Sequence, residues 1–193
     1  GNTGVNNIEG ITASANTQYG GGLTPNDADN SGTMQYVRIE FPGVALNTVS
    51  NSEINGLTFG AVGSGTTIDH IQVSYSGDDA FEWFGGSVNC KYLVALKSWD
   101  DDWDTDNGYN GNVQFGLTVR APEKADQSKS NGFESDNNGT SPYLALPLTK
   151  PVFSNMTFIG ARGDGSVYGA GTLPAGTNLD SVTGDITGVL EDT

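Results

Sequence analysis

Two kinds of strand-like segment recur along this chain at one common spacing, and that coincidence restricts the fold more than any other feature. Residues 36–41, 70–75, 92–97, 114–119 and 155–160 share an alternating apolar template. In register they give the columns Val37/Ile71/Leu93/Phe115/Met156 and Ile39/Val73/Ala95/Leu117/Phe158. Both columns are wholly apolar and lie two residues apart, as a strand with one buried face requires. Ile71, Leu93 and Phe115 follow one another at 22 residues. A second set of segments, at 78–86, 98–109 and 130–137, is acidic and aromatic. It aligns as Phe81/Trp103/Phe133 beside Glu82/Asp104/Glu134, then Phe84/Asp106/Asp136, and the step from Glu82 to Asp104 is again 22 residues. Two strand types with one period belong to a coil that carries each type once per turn. A meander would reverse at every hairpin, and its registers would drift out of phase. The expected fold is therefore all-β: a right-handed parallel β-helix, a single-stranded solenoid with coils about 4.8 Å apart. Its hand follows the rule for parallel crossovers.

Longer steps mark the interruptions. Val37 to Ile71 takes 34 residues and Phe115 to Met156 takes 41. These place insertions at 42–54 and 120–150, the second rich in proline and so extruded from its coil. In solenoids such insertions gather on one face, often the binding face. Residues 1–33 are loop-rich, with Gly20-Gly21-Gly22 and Pro25-Asn26-Asp27 as turn signals. Residues 34–160 form the coils, and 161–193 are an irregular Gly/Thr-rich segment. Neither end shows an amphipathic capping helix, so the chain is expected to be part of a longer solenoid.

Charge narrows the function classes. The formal net charge is −15, from 23 acidic and 8 basic residues. Nucleic acid and anionic membrane surfaces both need a basic face, so neither is an expected partner. No apolar run approaches the length of a membrane-spanning helix. Cys90 is the single cysteine, which excludes an internal disulfide framework and reads as a small buried residue.

The acids are concentrated rather than spread. Nearly half of them lie in the three acidic segments. Along a strand Trp103 points inward and Asp104 outward, with Asp106 on the face of Asp104. Stacking then adds Glu82 on one side, with Glu134 and Asp136 on the other. Carboxylates about 5 Å apart repel by roughly 1 kcal/mol per pair in water and several times more near a protein surface. A cation would relieve that repulsion. Oxygen ligands without a cysteine or histidine cluster select a hard ion, and calcium accepts irregular oxygen shells. The expected ligands are Glu82, Asp102, Asp104, Asp106, Glu134 and Asp136. This is not an EF-hand: counted from Asp102, position six is Asn107 rather than Gly and position twelve is Val113 rather than Glu. Asn107 and Asn137 share a column and can form a short side-chain ladder. The alternative role for all these acids is a solvated face or corner caps.

The stretches Asn55–Gly60, Gln72–Asp79, Phe84-Gly85-Gly86, Trp99–Gly108, Ala125–Ser128, Ser130–Asn137 and Pro151–Asn155 resemble the pectate-lyase-like right-handed β-helix superfamily. Within it they are most similar to secreted or lipid-anchored surface β-helix proteins of Bacteroidota. The resemblance implies an extracellular or outer-membrane surface location, and it implies little about activity. Polysaccharide or other cell-envelope proteins are the expected partners. Calcium-dependent lyases of this fold use the ion to neutralise a uronate and a Lys or Arg as base. Lys97 and Arg120 are the weak candidates here, and salt bridging to the acids is the preferred role for both. Paired-acid glycoside hydrolysis is a further alternative. His70 reads as structural. Trp83 and Trp103 share the parity of core aromatics, which leaves Trp99 and Tyr109 as the expected glycan contacts. The leading expectation is a calcium-stabilised surface module that acts as a scaffold or a glycan-binding element.

Overall fold

The computed structural model describes residues 4–43, 53–121, 124, 130–139, 144–160 and 191–192. Much of the 42–54 and 120–150 insertions, and 161–190, lie outside this set. An antiparallel pair, β1 (Asn6–Asn7) with β2 (Gln18–Tyr19), precedes the coils. Then β3 (Thr33–Glu40), β4 (Leu57–Gly60), β5 (Thr67–Ser74), β6 (Phe81–Phe84), β7 (Asn89–Leu96), β8 (Trp103–Asp106) and β9 (Asn112–Val119) alternate long and short. After them come β10 (Phe133–Ser135), β11 (Val152–Ser154), β12 (Thr157–Ile159) and β13 (Glu191–Asp192). The short strands stack in the order β13-β10-β8-β6-β4 and the long ones in the order β11-β9-β7-β5-β3, with β12 also on β9. Every pair in these two sheets is parallel. This is a parallel β-helix, and among the described residues no helix is long and apolar enough to cross a membrane.

Each of the long strands β3, β5, β7 and β9 contains one outward residue in the left-handed region, and Asn155, between β11 and β12, holds the corresponding place. Tyr36, His70, Tyr92, Phe115 and Asn155 all have φ between 53° and 63°. Such a residue breaks the strand alternation, so inward positions fall on both sides of it. Ile68 and Ile71 are both buried around His70, and Cys90 and Leu93 around Tyr92. The rings in this column stack on the outside. Tyr36–His70, His70–Tyr92 and Tyr92–Phe115 centroids are 4.6, 4.5 and 4.9 Å apart.

The structure corrects the sequence register at β9. Val37, Ile71 and Leu93 share a column, and so do Ile39, Val73 and Ala95. On the next coil, however, Leu93 meets Gly116 and Ala95 meets Thr118. Phe115 and Leu117 are displaced by one residue, and Phe115 becomes 39% exposed. The cause is a longer corner. Four residues, 85–88, separate β6 from β7, whereas five, 107–111, separate β8 from β9.

The extra length brings Tyr109 into the core. Phe59 and Trp83 stack in one inner column at 5.3 Å, but the next residue in that column is Thr105. The Tyr109 ring fills the place that Thr105 leaves, 5.4 Å from Trp83, and its hydroxyl donates to the Val88 carbonyl at 2.9 Å. Beside it Phe81 and Trp103 stack at 5.2 Å with rings 2° apart. Thr118 is buried and accepts from the Trp103 indole N–H at 2.8 Å, so the polar residue in an apolar column is satisfied.

Candidate functional site

The outward side of the short strands forms the site. Glu82, Asp104 and Glu134 occupy one outward column, and Asp106 with Asp136 follow two residues later. All five line a cavity of about 360 Å³. Four aspartates that lead into the strands join them: Asp78 and Asp79 on one coil, Asp100 and Asp101 on the next. Glu9 and Glu53 close the rim from outside the regular coils. Among the described residues, eleven carboxylates therefore face one space.

Backbone donors hold part of this set in place. The Asp101 N–H donates to Asp79 Oδ1 at 2.9 Å, and one coil further the Asn131 N–H donates to Asp101 Oδ1. Each carboxylate caps the strand entry of the following coil. Glu82 is 4% exposed and accepts from the Asn55 side-chain amide. Two groups of three bring oxygens within 4.8 Å of one another: Asp78, Asp79 and Asp100, and Asp79, Glu82 and Asp104. Asp79 belongs to both. One oxygen of Asp104, Oδ1, is shut off from solvent and has no hydrogen-bond partner among the described residues.

Burial and mutual repulsion raise the proton affinity of these groups. Desolvation lifts Asp79 well above the usual carboxylate range, and Asp104, Glu82, Asp100 and Asp78 add to it. Glu82 is raised by burial and then by Asp104 and Glu9. Asp101 is raised by burial and by its hydrogen bond to Glu134, and Asp104 by burial, Glu134 and Asp106. Asp106, less enclosed, is pushed up to about 6. Protonation or a bound cation would relieve such a cluster.

Asp102 requires a correction. It does not line the cavity but lies buried behind it, in the inward position that Ala80 holds one coil earlier. Its partner is Arg120, 3.3 Å away, and both side chains are nearly inaccessible. Burial raises Asp102 to about 7 against the opposing pull of Arg120. Arg120 also donates to the Asp100 carbonyl at 2.6 Å and the Asn131 carbonyl at 3.2 Å. It is thus a counter-charge beneath the acidic strands and supplies no base to the cavity. Lys97 stands at the end of β7, φ 58°, and does not line the cavity either.

Tyr109 is the second correction. It is fully buried, so it offers no ring to a glycan. Trp99 is 40% exposed, but the Lys124 ammonium sits 4.5 Å from its ring centroid. The ligand set expected from sequence omits Asp78, Asp79, Asp100 and Asp101, although each pair repeats at the 22-residue step. Glu9 and Glu53 carry no such signal, because no repeat relates them to the coils.

The sequence model of the pectate-lyase-like β-helix domain matches residues 1–188. The chain belongs to this family. No curated protein and no solved structure matches it. A pectate-lyase-like β-helix domain fits a polysaccharide-related role, and its outward short-strand face here is a carboxylate-lined cavity.

Proposed function

We propose that this β-helix is an extracellular or cell-surface module of the Bacteroidota type, stabilised by calcium in its acidic cavity and acting as a scaffold or glycan-binding element. The observation that carries the reading is the solvent-inaccessible Asp104 Oδ1, without a hydrogen-bond partner among the described residues, inside a triad with Asp79 and Glu82. A buried carboxylate oxygen with no donor is costly, and a divalent ion supplies what it lacks. The donor set is oxygen throughout, which suits a hard cation, and its irregular spacing favours calcium over the strict octahedron of magnesium. Asp79, Glu82 and Asp104 would hold the ion, with Asp106 and Glu134 adding charge. When bound, it neutralises the cluster and ties neighbouring coils together. With Arg120 engaged in the interior and Lys97 off the cavity, a binding role is favoured over the lyase alternative.

Thermal melting in calcium and in chelator tests this. A ligand at about a hundred times its Kd stabilises by ~2.7 kcal/mol, so calcium should raise Tm by several degrees at neutral pH, and more than magnesium does. Glu82→Gln with Asp104→Asn should abolish the response. An identical Tm in chelator and calcium would end the proposal.

A further inference from the structure

Beside the acidic cavity lies a second recess of about 230 Å³ with a different chemistry. Its polar lining comes from Asn6, Tyr19, Asn107 and Asn137, and its apolar wall from Val5, Leu146 and Pro147. Among the described residues no charged side chain borders it. The fold builds it from three places. Tyr19, on the β1–β2 hairpin, lays its ring against Phe84 at 5.9 Å, over the side-chain-free Gly60. Asn107 follows Asp106 in a left-handed conformation, φ 51°, which turns it away from the strand line. Asn137 fixes the wall: its amide donates to the Ala145 carbonyl at 2.9 Å, and its Oδ1 accepts from the Thr149 N–H at 2.9 Å.

We infer that this recess is a subsite for one neutral sugar residue of a glycan. The inference rests on the glycan-binding half of the proposed function and is independent of the cation. The Asn6 and Asn107 carboxamides carry both donors and acceptors, as ring hydroxyls do, whereas that of Asn137 is committed to the wall. The Tyr19 phenol, which lines the recess with Asn6 and Asn107, places a flat apolar body with a polar tip in the same wall. Few polar groups on an otherwise apolar concave surface is the usual composition of a small-molecule site, and the volume is that of a small ligand rather than a chain segment. Charge settles the class. Asp106 and Asp136 adjoin Asn107 and Asn137 in sequence, and both line the neighbouring acidic cavity, so a uronate would meet repulsion from them, and among the described residues that line the recess there is no Lys or Arg to offset it. A neutral residue meets none.

The test is titration of the full chain with methyl glycosides of neutral hexoses and N-acetylhexosamines, followed by the side-chain amide signals in 1H–15N NMR spectra. One or more probes should shift the Asn6 and Asn107 amides, equally in calcium and in EDTA. Tyr19→Phe and Asn107→Gly keep the ring and the left-handed backbone respectively, and each should weaken binding about tenfold, the scale of one lost hydrogen-bonding group. A Tm within a degree of the parent shows that these variants stay folded. No shift with any neutral probe, unchanged affinity in both variants, or preference for galacturonate would overturn the assignment. Binding that vanishes in EDTA would place the sugar on the cation instead, and so would also overturn it. Failure of the calcium response alone leaves this subsite standing.

Discussion

At the residue scale the most consequential pair is Asp102 and Arg120. A buried carboxylate in the inward line of Ala80 is tolerable only because a guanidinium reaches it from the end of β9. Removing one member of a buried ion pair generally costs about 3–5 kcal/mol, since the other charge stays behind uncompensated. Arg120→Ala should therefore lower stability by that amount at pH 7.5, measured by urea unfolding. The loss should shrink toward pH 5, where Asp102, already raised to about 7 with its partner present, takes up a proton and no longer needs one. A loss independent of pH would show that Arg120 acts through packing and its carbonyl hydrogen bonds rather than through the charge of Asp102.

At the element scale the decisive feature is the five-residue corner before β9. It feeds Tyr109 into the gap left by Thr105 and shifts the strand by one residue, which exchanges inward and outward positions. Phe115 is thereby moved onto the external ladder, stacked on Tyr92 at 4.9 Å with rings 10° apart. Leu93 stays fully buried. Leu93→Ala should cost about 2–5 kcal/mol. Phe115→Ala should cost only about 0.5–1.5 kcal/mol, the worth of an aromatic pair. Comparable losses in both variants would restore the uninterrupted 22-residue register and dismiss the shift.

At the scale of the whole molecule, stability is governed by how many protons the acidic face holds. Asp79, Glu82, Asp101 and Asp104 are raised, Asp106 to about 6 and Asp102 to about 7. Unfolded carboxylates titrate near 4, so between about pH 4 and pH 7 the folded state binds more protons than the unfolded one. Stability without a cation must then fall as pH rises through that window. Calcium competes with those protons, so its effect on Tm should be small near pH 4.5 and largest above pH 7. Melting in chelator from pH 4.5 to 8 checks the first statement and the same series in calcium checks the second. A chelated protein that gains stability between pH 5 and pH 7 would contradict both.

The repeat of 22 was enough to read the parallel β-helix and to stack Phe81 on Trp103 and Glu82 on Asp104, because coils of equal length must stack residue on residue; Phe133 and Glu134, 30 residues further on, joined these lines through the recurring aromatic–acid pattern. Burial of Trp83 and Trp103 followed from strand parity, and that of Cys90 from its being a lone, small apolar side chain. Three things needed the folded molecule: the one-residue slip at β9, the inward turn of Asp102 toward Arg120, and the approach of Glu9, Glu53 and Tyr19 to the short strands. Each depends on the path of a corner or a loop, where length rather than pattern decides what meets what. Periodicity carries information only where the chain repeats itself, and at its irregular joints three-dimensional packing alone chooses the partners.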